Sequence, residues 1–516
     1  MTTTQIIMAI VMFVYLAGMV VIGIFYSKKG SSSTKDFYLG GRKLGALVTA
    51  MSAEASDMSS YLLMGLPGLA YFSGVADVGW TIIGLAAGTY LNWLFVAKRL
   101  RVYSEEIDAY TVPGFFSKRF GDNQKVLSLI AALIIIIFFI PYTASGFAAV
   151  GKLFNSLFGF DYMTSMLIGA AVIIIYTILG GFLAVSTTDL IQSIVMTISL
   201  LIILGFGINL VGGTGAVIET ANTVPGYLNM FSNANVATGE TSTYGFFSVV
   251  STLAWGLGYF GMPHILLRFM GAKSPKTIKS SRRIASVWVV ISMFIAMCIG
   301  IMGFALSKGG FIDTFDSSSA AESVIVKIAD LLSQNGVLAI IIAGLVLSGI
   351  LAATMSTADS QLLAASSSVS EDILGGIFKF NLSKKATMWV ARISVIVIAI
   401  IGVILARDPD SSVFTIVSFA WAGFGATFAP VMLCGLFWKR CNKWGAMAGM
   451  ISGAIMIFVW KYLVRPIGGG WNIYELLPAF IVALIFIIVV SLVTPAPDKE
   501  IIETHERVKK ITKEYK

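Results

Sequence analysis

The sequence predicts an all-helical integral membrane bundle, and three observations carry that prediction. Of its 516 residues, 57% are hydrophobic and only 12% charged, whereas a soluble domain keeps about a quarter of its residues charged. Apolar runs recur along the whole length, each long enough to cross a hydrocarbon core of about 30 Å as a helix of roughly 20 residues. These runs are continuously apolar rather than alternating, which excludes barrel strands.

Thirteen spans follow, at 5–26, 45–72, 74–97, 126–155, 163–182, 190–212, 244–268, 284–306, 336–365, 388–406, 411–436, 445–463 and 476–494. Basic residues orient them. With the N-terminus outside and the C-terminus inside, the inward-facing segments near 28–43, 98–125, 268–283, 379–392, 439–443 and 499–516 hold all but six of the 36 Lys and Arg residues. The exceptions are Lys152, Lys308, Lys327, Arg407, Lys461 and Arg465, and the loop 213–243 has neither Lys nor Arg. This is the positive-inside pattern, so the net charge of +9 reads as topology and lipid contact, not as nucleic-acid binding. No positive n-region and cleavage site precede the first span, so no removable signal peptide is expected.

Cys298, Cys434 and Cys441 lack metal or disulfide spacing, and His264 and His505 lie far apart, so no metal or nucleophile motif points to an enzyme. The inner loop 99–125 reads as a short amphipathic helix on the cytoplasmic face, and the tail 496–516 as a charged, exposed extension. Neither is large enough to be a catalytic domain.

The second span carries Glu54 and Asp57 in its middle, among Ser52, Ser56, Ser59 and Ser60, with Gly65, Pro67 and Gly68 following. A carboxylate in hydrocarbon costs several kcal/mol and needs a partner. A helix interrupted at Gly65–Gly68 would free carbonyls which, with the hydroxyls, suit a hard cation such as sodium. Alternatively, Asp57 caps a half-helix or pairs with a neighbouring span. In the ninth span Ala353, Ser356, Thr357 and Ser360 share one helix face. That face is either a helix-packing stripe or the second half of a cation site.

In the seventh span Trp255, Tyr259 and Pro263 are spaced by four, among Gly256, Gly258 and Gly261. Glycine and proline make this helix easy to break. Aromatics around such a break suit a small solute with charged ends, although an aromatic packing stripe gives the same spacing. His264, just after the break, reads as a hydrogen-bonded structural histidine. Two interrupted spans five apart point to an inverted-repeat transporter, with spans two to six and seven to eleven as the repeats.

The segments "FYLGGRKLG", "SDMSSYLLMGLPG", "GGFLAVSTTDLIQ", "WGLGYFGMPHILLRFM" and "ILAATMSTADSQLL" resemble the sodium/solute symporter family, and within it the bacterial sodium/proline symporters. The resemblance runs from about residue 5 to residue 490. It implies a single transporter domain over 1–516 with a LeuT-type core of five plus five inverted helices. The first repeat would span 45–212 and the second 244–436, with an extra helix at 5–26, two more within 445–494 and a cytoplasmic tail at 496–516.

The resemblance also implies a site. Sodium would lie between the second and ninth spans, on the carbonyls of Ala55, Met58 and Ala353 and the hydroxyls of Ser356 and Thr357. Asp57 would be an essential acid beside it, with Ser59 close by. Tyr142, Trp255, Tyr259 and Pro263 would line a proline pocket, and Arg42 and Asp189 would serve transport efficiency. Two positions depart from the proline branch. Ser60–Tyr61 replaces Gly–Trp, and Met262 stands where Gln is expected.

The expected function is therefore sodium-coupled import of L-proline across a bacterial plasma membrane, with another small amino acid or an osmolyte as the alternative solute. A solute sensor on the same fold would carry a signalling domain, and a channel would not need two broken helices around a central pocket.

Overall fold

The computed structural model describes residues 1–27, 38–179, 181–378 and 383–515. Lys28, Lys29, Lys35, Lys379 and Lys516 of the charge pattern lie outside the described residues, as do Phe37 and Gly180 of the quoted segments.

In chain order the helices that matter are α1 (Thr3–Ser27), α2 (Ala46–Ser60), α3 (Leu66–Ser73), α4 (Val75–Leu91), α5 (Lys98–Glu106), α6 (Val112–Arg119), α7 (Val126–Phe158), α8 (Tyr162–Leu179), α9 (Phe182–Val211), α10 (Phe246–Leu253), α11 (Pro263–Gly271) and α12 (Thr277–Lys308). They continue with α13 (Val324–Ser333), α14 (Val337–Ser367), α15 (Lys384–Leu405), α16 (Val413–Thr427), α17 (Ala429–Phe437), α18 (Lys443–Val459), α19 (Leu476–Val493) and α20 (Lys499–Glu514). Among the described residues, ten helical segments are long and apolar enough to cross a membrane. The other three predicted spans appear as shorter or interrupted helices: α2 with α3, α8, and α10 with α11.

Large apolar side chains point outward, as lipid requires: Phe13, Phe95, Ile137, Phe294, Ile404 and Val493 are all exposed. Polar groups are gathered inside, where Glu54, Asp57, Asp189, Arg268, Asp359 and Gln361 are buried. With no water to solvate them, such groups must find protein partners or carry function.

Several elements differ from expectation. The loop 99–125 is two helices, α5 and α6, and the Thr111 hydroxyl caps α6 by accepting the Gly114 N–H at 3.0 Å. The loop 213–243 holds a short helix and a two-stranded antiparallel hairpin, β1 (Ser232–Ala234) with β2 (Thr241–Thr243), so the chain is not wholly helical. The C-terminal tail is not a free extension: α20 packs on α5, burying His505 and Val508. Arg268, assigned above to an inner loop, is buried at 1% exposure. Of the six basic exceptions, Lys152 pairs with Glu322 at 2.6 Å, and Lys461 and Arg465 both pair with Glu475. A paired cation carries little topological signal.

The two interrupted helices are joined to each other. Leu44, just before α2, forms a parallel bridge with Ala272, just after α11, through Leu44 N–H to Gly271 O at 3.3 Å and Lys273 N–H to Leu44 O at 2.8 Å. On the other side α4 crosses the segment after α10 at backbone distance. A Cβ on Gly88 would stand 2.3 Å from the Gly256 carbonyl oxygen, and one on Gly256 would stand 2.2 Å from that of Gly84.

Candidate functional site

The second span breaks at Ser59, not at Gly65–Gly68. Ser59 takes φ 46° and ψ −170°, a conformation that costs a residue with a side chain about 1–3 kcal/mol. The chain then runs through a loosened stretch, Tyr61–Gly65, into α3, with Pro67 in its first turn, where the missing N–H does no harm. In a continuous helix the Tyr61 N–H would bond the Asp57 carbonyl. Here it turns to the Ser59 hydroxyl oxygen at 3.1 Å, and to Met58 O and Ser59 O. The Asp57 carbonyl instead accepts the Tyr142 hydroxyl at 3.1 Å, from α7 just after its internal Pro141.

The seventh span breaks as glycine and proline suggested. Ala254–Gly261 winds tightly, Met262 is extended at ψ 110°, and Pro263 starts α11.

Between α2 and α14 four oxygens converge. The Ser356 hydroxyl lies 2.8 Å from Ala55 O and 3.2 Å from Ala353 O, and the Thr357 hydroxyl lies 3.5 Å from Ala55 O. Ser356 has one hydrogen to give and two carbonyls facing it. The cluster is rich in lone pairs and poor in hydrogens, which suits a small cation. Met58, the fifth expected ligand, takes the Tyr61 N–H on its carbonyl. Its side chain borders a narrow cavity with Asp57, Tyr61, Tyr142, Trp255 and Trp421, closed by Leu85, Met293 and Val417.

Asp57 connects these regions. Its Oδ2 accepts the Tyr259 hydroxyl at 2.6 Å, while its buried Oδ1 has no protein partner. Ser59 and Thr357 share a second recess with Ser60, Tyr142, Thr354 and Gln361, so Tyr142 borders both spaces. Trp255 and Tyr142 line the cavity, whereas Tyr259 lies behind that lining, bonded to Asp57 and packed edge-on against Trp421. Pro263 lies outside that lining and acts as the first residue of α11.

Arg42 and Asp189 sit apart from the cavity. Arg42 donates to Ser104 O at 2.9 Å, Ala109 O at 2.8 Å and Met270 O at 2.6 Å, fastening α5 and the end of α11 to the segment entering α2. Asp189 Oδ2 accepts from Ser52 at 2.6 Å and pairs with Arg268 at 3.1 Å, and Arg268 also donates to Ser360 at 2.5 Å. This chain of contacts links α9, α2, α11 and α14.

Sequence reasoning missed Arg268 and Trp421 as site-forming residues. An acid at the edge of the sixth span, Asp189, invites a partner, and Arg268 is followed by apolar Phe269 and Met270 rather than by loop residues. That was the available signal. Trp421, which donates its indole N–H to Trp255 O at 2.8 Å, carried none.

Comparison with known proteins decides the family. A model of the sodium:solute symporter family matches residues 37–453. The chain belongs to that family. It is 43% identical to a sodium/proline symporter of Haemophilus influenzae, over 98% of both chains. It is 42% identical to a sodium/proline symporter of Escherichia coli, over 94% of this chain and 92% of that one. A solved sodium-coupled sialic acid symporter in a substrate-bound, outward-open state shares the fold, with TM-score 0.76 and 20% identity over 96% of this chain and 99% of that one. As a sodium:solute symporter the protein is a multi-pass membrane transporter with sodium as its coupled ion, not an enzyme.

Proposed function

We propose that this symporter imports L-proline with sodium across the bacterial cytoplasmic membrane by alternating access. The observation that carries the reading is the oxygen cluster of Ala55, Ala353, Ser356 and Thr357, beside an acid whose carbonyl is held by Tyr142 of the solute cavity and whose carboxyl is held by Tyr259 behind it. The proline-specific names of relatives that align over nearly the whole chain support the solute.

In this reading the chain crosses the membrane thirteen times, with the N-terminus outside and the C-terminus inside. The five-plus-five repeats are 45–212 and 244–436, flanked by the helix at 5–26, two within 445–494 and the cytoplasmic tail 496–516. Sodium binds the carbonyls of Ala55, Met58 and Ala353 and the hydroxyls of Ser356 and Thr357, with Asp57 supplying negative charge and Ser59 shaping the break. Proline binds beside Tyr142 and Trp255, with Tyr259 orienting Asp57 and Pro263 fixing the start of α11. Arg42 and Asp189 hold the moving parts in register.

Sodium binding would pull α2 against α14 and so order the cavity, which is positive coupling between the two ligands. One charge crossing about 100 mV supplies roughly 2.3 kcal/mol, and a tenfold sodium gradient adds about 1.4 kcal/mol. At one sodium per proline these hold the solute several-hundredfold concentrated.

The test is uptake of labelled L-proline into proteoliposomes under an inward gradient of Na+, then of K+ or H+ at matched potential. Accumulation above equilibrium with Na+ alone is expected, and its loss in Asp57→Cys. Uptake that never exceeds equilibrium overturns the symport mechanism. Sodium-dependent binding without a proline signal transfers the reading to another small amino acid or osmolyte, with Ser60, Tyr61 and Met262 as the marks of the change.

A further inference from the structure

The loop joining α18 to α19 lies outside the ten-helix core proposed above, yet it reaches into the wall of the solute cavity. Tyr474 is buried, and its ring stacks on Trp255 with centroids 5.1 Å apart and planes 22° apart. Trp255 stacks with Tyr61 as well, at 5.8 Å and 27°. Two further bonds fix Tyr474. Its N–H donates to the Ser251 hydroxyl at 2.6 Å, and its own hydroxyl donates to Ser418 O at 2.5 Å. Ser251 belongs to α10, which leads into Trp255, and Ser418 to α16, which presents Val417 and Trp421 to the cavity. The loop is itself braced, because the buried Glu475 accepts from Arg465 at 2.8 Å and Trp460 donates to Ile473 O at 3.1 Å.

We propose that Tyr474 is a positioning residue for solute capture, its ring clamping Trp255 in its cavity-lining position and so restricting entry from the outer side. The inference rests on the symporter reading for the word solute, and on the geometry alone for the clamp. Its physical basis is simple. Trp255 has glycine at 256 and 258, so its own tightly wound segment offers few side chains to hold its ring. Stacking on Tyr474 supplies the missing restraint.

Two readouts test it. The first needs no solute. A cysteine at the cavity residue Val417 is labelled from outside with a membrane-impermeant maleimide, in protein carrying Cys298→Ser, and protein lacking Val417→Cys gives the background. Adding Tyr474→Ala is expected to speed labelling about tenfold, a barrier change of about 1.4 kcal/mol, whereas Tyr474→Phe, which keeps the ring, stays near the parent rate. Equal rates for the alanine variant and its parent overturn the proposal, and so does an acceleration shared by the phenylalanine variant. Where Tyr474→Ala gives no folded protein, Arg465→Gln loosens the loop without removing the ring, and about threefold faster labelling is expected; an unchanged rate overturns the proposal.

The second readout is proline uptake. Tyr474→Ala raises KM about tenfold with kcat within twofold, and Tyr474→Phe restores it. A fall in kcat at unchanged KM overturns the capture role. Failure of the unmodified protein to carry proline bears on the solute assignment, while the labelling result still decides the clamp.

Discussion

Tyr259 gives its hydroxyl hydrogen to Asp57 Oδ2 at 2.6 Å, which ties the acid beside the oxygen cluster to the tightly wound segment of the seventh span. A hydrogen bond to a charged group contributes about 1.5–3 kcal/mol. Tyr259→Phe is therefore expected to raise the half-saturating sodium concentration about 10- to 100-fold while the protein stays folded, since the ring still packs edge-on against Trp421 at 5.0 Å. Sodium dependence of initial uptake measures this. Unchanged sodium dependence would detach Asp57 from the ion step.

Ser356→Ala removes the hydroxyl that faces both Ala55 O and Ala353 O. Two carbonyls then meet across a gap that an ion must fill with one ligand fewer. Sodium affinity is expected to fall about tenfold, about 1.4 kcal/mol, with solute affinity at saturating sodium nearly unchanged. Isothermal sodium binding separates the two. A loss confined to solute affinity would place Ser356 in the solute pocket instead.

The buried pair of Asp189 and Arg268 predicts an asymmetry. Removing one partner leaves the other charge uncompensated and costs about 3–5 kcal/mol, whereas removing both is closer to neutral. Arg268→Gln alone is expected to lower the unfolding midpoint in detergent sharply, and the double change with Asp189→Asn to recover much of it. Additive losses would show that the two side chains act independently.

Gly88 approaches Gly256 so closely that an added Cβ would stand 2.3 Å from a carbonyl oxygen. Backbone cannot yield as a flexible side chain does, and overpacking of this kind typically costs about 1–3 kcal/mol. Gly88→Ala should lower thermal stability and also shift the tightly wound segment holding Trp255, raising the solute KM. A variant of normal stability and normal KM would show that the crossing has slack.

How far the sequence went follows from what each signal measures. Hydropathy and charge measure solvent preference, so they located the long apolar helices. They failed at Arg268 because a buried ion pair looks like a loop residue until its partner is known. The proline at 263 marked its break correctly, because proline cannot donate to the helix. The break in the second span was placed too late, at Gly65–Gly68, because Ser59 adopts its left-handed φ through tertiary packing, which no local propensity announces. The oxygens that Ala55 and Ala353 bring to the cluster are backbone atoms, invisible to any reading of side-chain type and reached only by family resemblance. The docking of α20 was missed because a charged helix with two buried residues reads as a tail.

That docking has a pH signature. The ring nitrogens of His505 lie 3.1 Å from Arg99 Nη2 and 3.3 Å from Arg119 Nη2, and its ring packs edge-on against Tyr103. Burial first, then the charges of Arg119, Arg99, Lys509 and Lys439, push the imidazole down from 6.5 to about 3. Undocked, His505 takes up a proton near its ordinary value; docked, it refuses one until far lower pH. The docked state is thus fully favoured above about pH 6.5 and loses stability steadily as pH falls toward about 3. Proteolysis within Lys499–Glu514 of the purified protein should accordingly be faster at pH 5 than at pH 7.5. His505→Gln, which keeps a polar group between the two guanidinium ions without a titrating nitrogen, should remove most of that difference. Equal cleavage at both pH values in the unmodified protein would mean that α20 is held by Val508 and by the ion pair of Arg507 with Glu106 at 2.5 Å, with His505 contributing nothing to the docking equilibrium.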